Sequence, residues 1–146
     1  MVSREKKTIS KKFKNVVIAI VVVFTIWSGI TLLQAKSSRS WTKVLPFARR
    51  QTDLVSGTAT NKDDAAKISL DFMGENYDSM WVIIRARDKN GKWHDVTGHN
   101  NIVYLNNPIY LSLNSDVYRG QTLMLVGGNN NWTHVNVSSK GRVTFP

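Results

Sequence analysis

Hydrophobic and polar residues alternate with a period of two along most of the chain after residue 65. In the segment 66–72, for example, Ile68, Leu70 and Phe72 alternate with polar residues, which is typical of a half-buried β-strand. The pattern predicts eight strands, at 66–72, 80–87, 92–96, 101–105, 108–114, 121–127, 132–137 and 142–145. Turn-forming glycine, asparagine and proline residues separate them. The predicted fold class is therefore all-β, a small antiparallel β-sandwich or barrel of about eight short strands.

A different pattern precedes these strands. Residues 16–33 form an apolar run of 18 residues that follows a basic segment at 4–14. This length lies between a signal-peptide core of about 7–15 residues and a membrane-spanning helix of about 20. We expect residues 1–35 to form an N-terminal apolar signal or anchor helix, either cleaved after Ala35 or retained. In both cases the basic N-terminus stays in the cytoplasm, and the rest is secreted or anchored at the outer face of the plasma membrane.

In residues 36–64 the hydrophobic and polar residues follow no regular period. This segment is predicted to be a polar lead-in or linker, from which Trp41, Leu45 and Phe47 dock on the folded body. The predicted organisation has three parts: a signal peptide or anchor at 1–35, a lead-in at 36–64 and a β domain at 65–146.

The dipeptide Asn90-Gly91 predicts a hairpin with a two-residue loop, because both residues tolerate a positive φ. Such a loop places Trp93 on the core face, together with the even-numbered residues of 80–86. The other face then carries Trp81 and a basic stripe that consists of Arg85, Arg87, Lys89, Lys92 and His94. An ordinary solvated face, whose charged side chains discourage edge pairing, is the alternative interpretation.

The segment GGNNNWT at 127–133 is a polar loop that ends in an indole. Asparagine amides and an indole face suit a sugar, although a long hairpin turn explains the same residues. The candidate ligand-binding residues are Arg85, Arg87, Lys89, Lys92, His94, Trp81 and Trp132.

The net charge of +10 divides equally between the two parts of the chain. Residues 1–35 contain six basic side chains and one acidic one, and residues 36–146 contain 14 basic and nine acidic ones. A moderately cationic exported body favours a polyanionic partner, namely an anionic cell-wall polymer, a membrane surface or an acidic protein partner. Nucleic acid is not an expected partner.

The chain contains no cysteine, which excludes disulfides, a cysteine nucleophile and thiolate zinc sites. His94, Asp95 and His99 are close in sequence, but a turn separates the two histidines. One position is even and the other odd, so along a strand their side chains would point to opposite faces. No catalytic or cofactor motif is visible. We therefore predict a protein that is not an enzyme and has no cofactor and no metal, with an envelope-active hydrolase that uses Asp95 or His94 as a less favoured alternative.

The layout resembles small exported all-β proteins of Gram-positive bacteria, some of them encoded beside bacteriocin-type systems. The segments that carry the resemblance are KISLDF (67–72), KNGKWHDVTG (89–98), YLSLN (110–114) and GRVTFP (141–146). The resemblance implies an extracellular, non-enzymatic role. The predicted function is an exported extracellular or cell-surface non-catalytic binding module that contacts an anionic envelope component or a protein partner. A bacteriocin-like antimicrobial or immunity factor at the membrane is the alternative.

Overall fold

The computed structural model describes residues 36–61, 65–99, 101–114 and 116–146. Within these ranges the chain forms nine β-strands and no helix. The strands are β1 Ser37–Leu45, β2 Thr52–Thr58, β3 Ala66–Met73, β4 Ser79–Arg87, β5 Trp93–Asp95, β6 Asn101–Tyr104, β7 Ile109–Leu111, β8 Thr122–Asn129 and β9 Val137–Phe145. The predicted signal or anchor helix in residues 1–35 lies outside the described residues. In the described ranges no helix could span a membrane.

The nine strands form two antiparallel sheets. Sheet A has the order β1-β9-β3-β7, and sheet B has the order β2-β8-β4-β5, with β6 also paired to β4. The first strand thus pairs with the last, the second with the eighth, the third with the seventh, and the fourth with the fifth and sixth. This nested pairing is the strand order of a jelly roll. The predicted all-β fold is confirmed, and its form is a two-sheet sandwich.

The hydrophobic core lies between the two sheets. On β4, the even-numbered residues from 80 to 86 are fully buried, and the odd-numbered residues from 81 to 87 are half-buried or exposed. Phe145 of sheet A is also fully buried and lies against Gly57 of sheet B, where an added methyl group would come within 2.2 Å of the ring. Glycine at this position therefore lets the two sheets approach closely.

Residues 36–58, predicted to be a polar lead-in, instead form β1 and β2. β1 pairs with β9 over its entire length, from Ser37↔Phe145 to Leu45↔Val137. Trp41 and Leu45 are buried in the core as predicted, whereas Phe47 is exposed. The pattern missed β1 because it is an edge strand, in which exposed serine, threonine and lysine residues outnumber the buried apolar ones. The folded unit accordingly spans residues 36–146.

The last strand is also longer than predicted. Residues 130–136, which include most of the predicted strand 132–137, form a loop, and β9 runs through the predicted turn at 138–141. Ser139 and Gly141 in that stretch are buried, on the inward side of the strand. Gly141 is the register partner of Trp41, whose indole fills the space that a larger side chain would need. Gly141 is therefore required by the packing, and the small residues of this stretch do not mark a turn.

Candidate functional site

The predicted hairpin exists, but its loop has three residues. The N–H of Asp88 donates to the carbonyl of Lys92 at 2.8 Å, and the N–H of Gly91 donates to the carbonyl of Asp88 at 3.0 Å. Gly91 has a φ of 82°. This is a three-residue loop in which a turn is followed by a left-handed glycine, the second common type of hairpin connection. The Asp88 carboxylate supports it by accepting the N–H groups of Asn90 and Lys92, both at 2.8 Å.

The extra loop residue shifts the register, so the predicted pairing was wrong by one residue. The observed pairs are Arg87↔Trp93, Ala86↔His94 and Arg85↔Asp95. A shift of one residue moves every side chain of β5 to the opposite face. Trp93, predicted to face the core, lies on the outer face and is 41% exposed. His94, predicted to lie in the stripe, is on the same side as Ala86, with its Nε2 3.7 Å from an oxygen of Asp116.

The predicted basic stripe is therefore smaller than expected. Arg85 donates from Nε to an oxygen of Asp95 at 2.7 Å, so its charge is compensated within the sheet. Arg87 bends over the turn and donates from Nε to the carbonyl of Gly91 at 3.3 Å. Lys89 and Lys92 are exposed and form no ion pair within the described part of the chain. Three of the five predicted basic side chains thus remain near the turn.

Trp81 and Trp132 do not belong to this cluster. Trp81 pairs with Gly128 of β8 and with Ile102 of β6. It lies six residues before Arg87 on β4, a distance of roughly 20 Å. Its indole lies against Gly128, since a methyl group there would come within 2.6 Å of Nε1. Trp81 is half-buried, and its position is explained by this packing. Trp132 lies in the β8–β9 loop, which leaves sheet B at the same distant end.

The end of the sandwich that contains Trp132 presents a different cluster, which we call the tip. The tip consists of Phe47, Arg49 and Arg50 in the β1–β2 loop and of Trp132 and Val135 in the β8–β9 loop. Its three apolar side chains project into solvent, with Trp132 77%, Val135 50% and Phe47 43% exposed. Exposed apolar side chains on two adjoining loops make the tip a candidate binding surface.

Hydrogen bonds join the two loops of the tip. The N–H of Ala48 donates to the carbonyl of Thr133 at 3.0 Å, and the N–H of Phe47 donates to Oδ1 of Asn136 at 3.1 Å. The Arg49 side chain bonds to Oδ1 of Asn130 at 3.3 Å. The two loops therefore hold one another in place, which lowers the conformational entropy that a partner must remove on binding.

The backbone of the β1–β2 loop is strained. Ala48 and Arg49 have φ angles of 61° and 57°, in the left-handed region that residues with a Cβ rarely adopt. Strain of this kind persists where surrounding contacts enforce it, and it is frequent at functional sites. Here the bonds to the β8–β9 loop enforce it. The resulting turn places the Arg50 guanidinium 4.8 Å from the centre of the Phe47 ring.

The charges of the tip are positive. Residues 46–51 and 130–136 contain two arginines, one histidine and no acidic residue. Glu75 and Asp78 belong to the β3–β4 turn. The strand order places the β8–β9 loop between this turn and the β1–β2 loop. The tip therefore combines exposed apolar side chains with two arginines that form no ion pair within the described part of the chain.

Of the tip residues, the sequence prediction included Trp132 alone. The run PFARRQ at 46–51 carries the signal that was missed, an aromatic residue and two arginines directly after a proline. It was assigned to a lead-in, so its apolar residue was expected to dock on the body. In the described ranges no group of three histidine, aspartate or glutamate side chains is placed to hold a metal ion.

No protein-family model and no curated protein matches the chain. Three solved structures match about three quarters of the chain. The Yersinia pseudotuberculosis-derived mitogen has a TM-score of 0.48 and 13% identity, over 77% of this chain and 88% of its own. PirA has a TM-score of 0.45 and 11% identity, over 77% and 96%. The SPBc2 prophage-derived protein YomS has a TM-score of 0.34 and 10% identity, over 75% and 96%. The predicted link to bacteriocin-type systems stays a prediction.

Proposed function

We propose that this protein is an exported, non-catalytic binding module that attaches to an anionic membrane surface through the tip. The observation that carries the proposal is the exposure of Trp132, Val135 and Phe47 on two mutually bonded loops that bear two arginines and no carboxylate. Export rests on the basic and apolar pattern of residues 1–35.

The chemistry of the tip fits the interface between water and lipid. Aromatic side chains, tryptophan above all, favour the headgroup level of a bilayer. Burial of a large apolar side chain contributes about 1.5–3 kcal/mol, and an arginine near anionic lipid contributes about 1 kcal/mol. Trp132 is 77% and Phe47 43% exposed, so their burial adds about 2–4 kcal/mol, and the two arginines add about 2 kcal/mol, about 4–6 kcal/mol in total. This corresponds to reversible attachment with a Kd on the order of tens of micromolar to millimolar.

A membrane surface explains the tip better than a polyanionic polymer in water does. A polymer would engage the arginines but would leave Val135 and the outer part of Trp132 in solvent. A lipid headgroup layer accepts both kinds of side chain at once, because charged groups and acyl chains lie only a few ångströms apart. Lipid is therefore the anionic envelope component that the tip contacts in this proposal.

The hairpin turn is a second candidate site, for an anionic wall polymer. It rests on the exposed Lys89 and Lys92, neither of which forms an ion pair in the described ranges, beside the exposed indole of Trp93. The tip and the turn lie at opposite ends of sheet B, so they can be tested separately. An antimicrobial or immunity role would use the same membrane attachment, and killing or protection in an expression assay separates that role from simple binding.

A dye at position 132 tests the proposal. Because the full chain has no cysteine, a Trp132→Cys variant can be labelled at one site with an environment-sensitive dye. We expect its emission to shift to the blue with vesicles of phosphatidylcholine and phosphatidylglycerol, and to shift less with phosphatidylcholine alone. The same dye on a Lys89→Cys variant is the matched control and should not respond. A response at position 89 with none at position 132 would exclude the tip.

A further inference from the structure

The outer face of sheet A carries a small polar pocket, far from the tip in chemistry and in position. It has a volume of about 120 Å³, and its lining consists of Ser38, Lys67, Ser69, Arg142 and Thr144. Strand register explains why these residues meet. Ser38 pairs with Thr144, and Thr144 pairs with Lys67, so three neighbouring strands contribute one row of outward side chains. Arg142 and Ser69 pair in the adjacent row.

The two cationic side chains of the pocket differ in whether a carboxylate pairs with them. Arg142 donates from Nε and from a terminal nitrogen to the two oxygens of Asp71, at 3.0 and 3.1 Å. These hydrogen bonds raise the pKa of Arg142 above its ordinary value. They also fix the plane of the guanidinium and leave its other N–H groups available as donors. Asp71 reaches it from the irregularity in the β3–β9 register between Leu70 and Phe72.

Lys67 forms no ion pair within the described part of the chain, so it provides the uncompensated charge of the pocket. Its Nζ lies 5.8 Å from the centre of the Tyr110 ring. Tyr110, on the edge strand β7, is 65% exposed and shares the outer face with its register partner Lys67. The cation and an aromatic surface are therefore adjacent, and both are accessible.

We propose that this pocket binds an acidic sugar, a pyranose that bears a carboxylate. The carboxylate pairs with Lys67 and with the free donors of Arg142. The hydroxyls of Ser38, Ser69 and Thr144 exchange hydrogen bonds with the sugar hydroxyls, and the Tyr110 ring contacts the apolar face of the pyranose. The volume is below the roughly 300–1,000 Å³ of pockets for drug-sized ligands, so one terminal sugar unit is the occupant.

The site is independent of the proposed membrane attachment. The pocket is lined by residues of β1, β3 and β9, and none of them belongs to the tip. A simple anion such as phosphate is a poorer match, because it would use the cations and the hydroxyl donors but would leave the exposed Tyr110 ring without a role. A neutral sugar is a poorer match too, since it would leave Lys67 unpaired.

Ligand-observed NMR with the full chain tests the proposal, with glucuronate, glucose and inorganic phosphate as probes. We expect glucuronate to bind about tenfold more tightly than glucose, and Lys67→Gln to remove about tenfold in affinity for glucuronate. Tyr110→Ala should weaken glucuronate binding, and Tyr110→Phe should retain it. Lys140→Gln is the matched control. Lys140 lies on the same face with its Nζ 5.6 Å from the Phe72 ring, but it is not part of the pocket.

Three results would overturn the acidic-sugar site: equal affinities for glucose and glucuronate, an equal loss in Lys67→Gln and Lys140→Gln, or displacement of glucuronate by an equal concentration of phosphate. Unchanged unfolding midpoints confirm that each variant is folded. No lipid is present in this experiment, and no sugar is present in the vesicle experiment. A failure of one site therefore leaves the other unaffected.

Discussion

The indole of Trp41 lies across Gly141, its register partner on the neighbouring strand β9. A methyl group added at Gly141 would come within 2.3 Å of Cζ2 of that indole and within 2.3 Å of the carbonyl oxygen of Ser69. Glycine is therefore enclosed by a side chain on one side and by the backbone of β3 on the other. The pair joins three strands of sheet A and seats Trp41 in the core.

Gly141→Ala should lower the free energy of unfolding by about 2–3 kcal/mol, because overpacking a well-packed core forces side chains and backbone to move. Gly98→Ala is the matched control. Gly98 has no atom within 4 Å of an added methyl group and no positive φ, so its substitution should change stability by less than about 0.5 kcal/mol. Urea unfolding of the two variants measures both values. Equal stabilities would contradict the enclosure of Gly141.

Gly91→Ala should destabilise the hairpin by about 1–2 kcal/mol, because Gly91 has a φ of 82° and a Cβ is disfavoured there. Asn90→Ala is the comparison, since Asn90 has no positive φ in the three-residue loop. In a two-residue loop Asn90 and Gly91 would both need a positive φ, and the two substitutions would be similarly costly. Urea unfolding therefore distinguishes the two loops.

The double variant Arg49→Gln/Arg50→Gln should bind vesicles that contain phosphatidylglycerol at least about tenfold more weakly, since each arginine contributes about 1 kcal/mol at an anionic surface. Its binding should also depend less on the sodium chloride concentration, because the variant lacks two of the charges whose attraction to the lipid is screened by salt. Lys89→Gln/Lys92→Gln removes the same charge at the other end of sheet B and should leave vesicle binding unchanged. Cosedimentation across a salt series measures both effects. The reverse ranking would assign lipid binding to the hairpin turn.

Cleavage of the predicted signal peptide after Ala35 should leave the β domain intact, because β1 begins at Ser37. We expect a chain that starts at Lys36 in the medium of the natural host. Intact mass and N-terminal sequencing of the medium and membrane fractions check this expectation. A full-length chain in the membrane fraction would show a retained anchor. A start within β1 would contradict the expectation, because it would remove hydrogen-bonded pairs from the β1–β9 ladder.

The central strands could be predicted from the sequence because their environment imposes a strict period. β4 has the core on one side and a more exposed surface on the other, so its apolar and polar residues alternate as predicted. β1 is an edge strand with few apolar residues, and β9 contains serine and glycine where Trp41 and the neighbouring backbone leave little space. In both cases the decisive cause is a partner that lies far away in the sequence.

The candidate site was predicted less completely than the fold. The hairpin register depended on loop length, and Asp88 with Gly91 three residues later is the signature of a turn that makes the loop one residue longer. Asn90-Gly91 alone did not distinguish the two possibilities. The tip depends on hydrogen bonds between two loops more than 80 residues apart, and on a left-handed backbone at Ala48 and Arg49. No local pattern encodes either of these features.

The pairing of the first strand with the last also determines when this protein can fold. Ser37 and Phe145 are register partners although more than 100 residues separate them, so sheet A lacks its second strand until residues 137–145 have been synthesised. Contacts of such long range make folding slow. On the ribosome, sheet A therefore cannot assemble before β9 has emerged. Such a delay would suit the proposed export, because a narrow channel accepts only an extended chain.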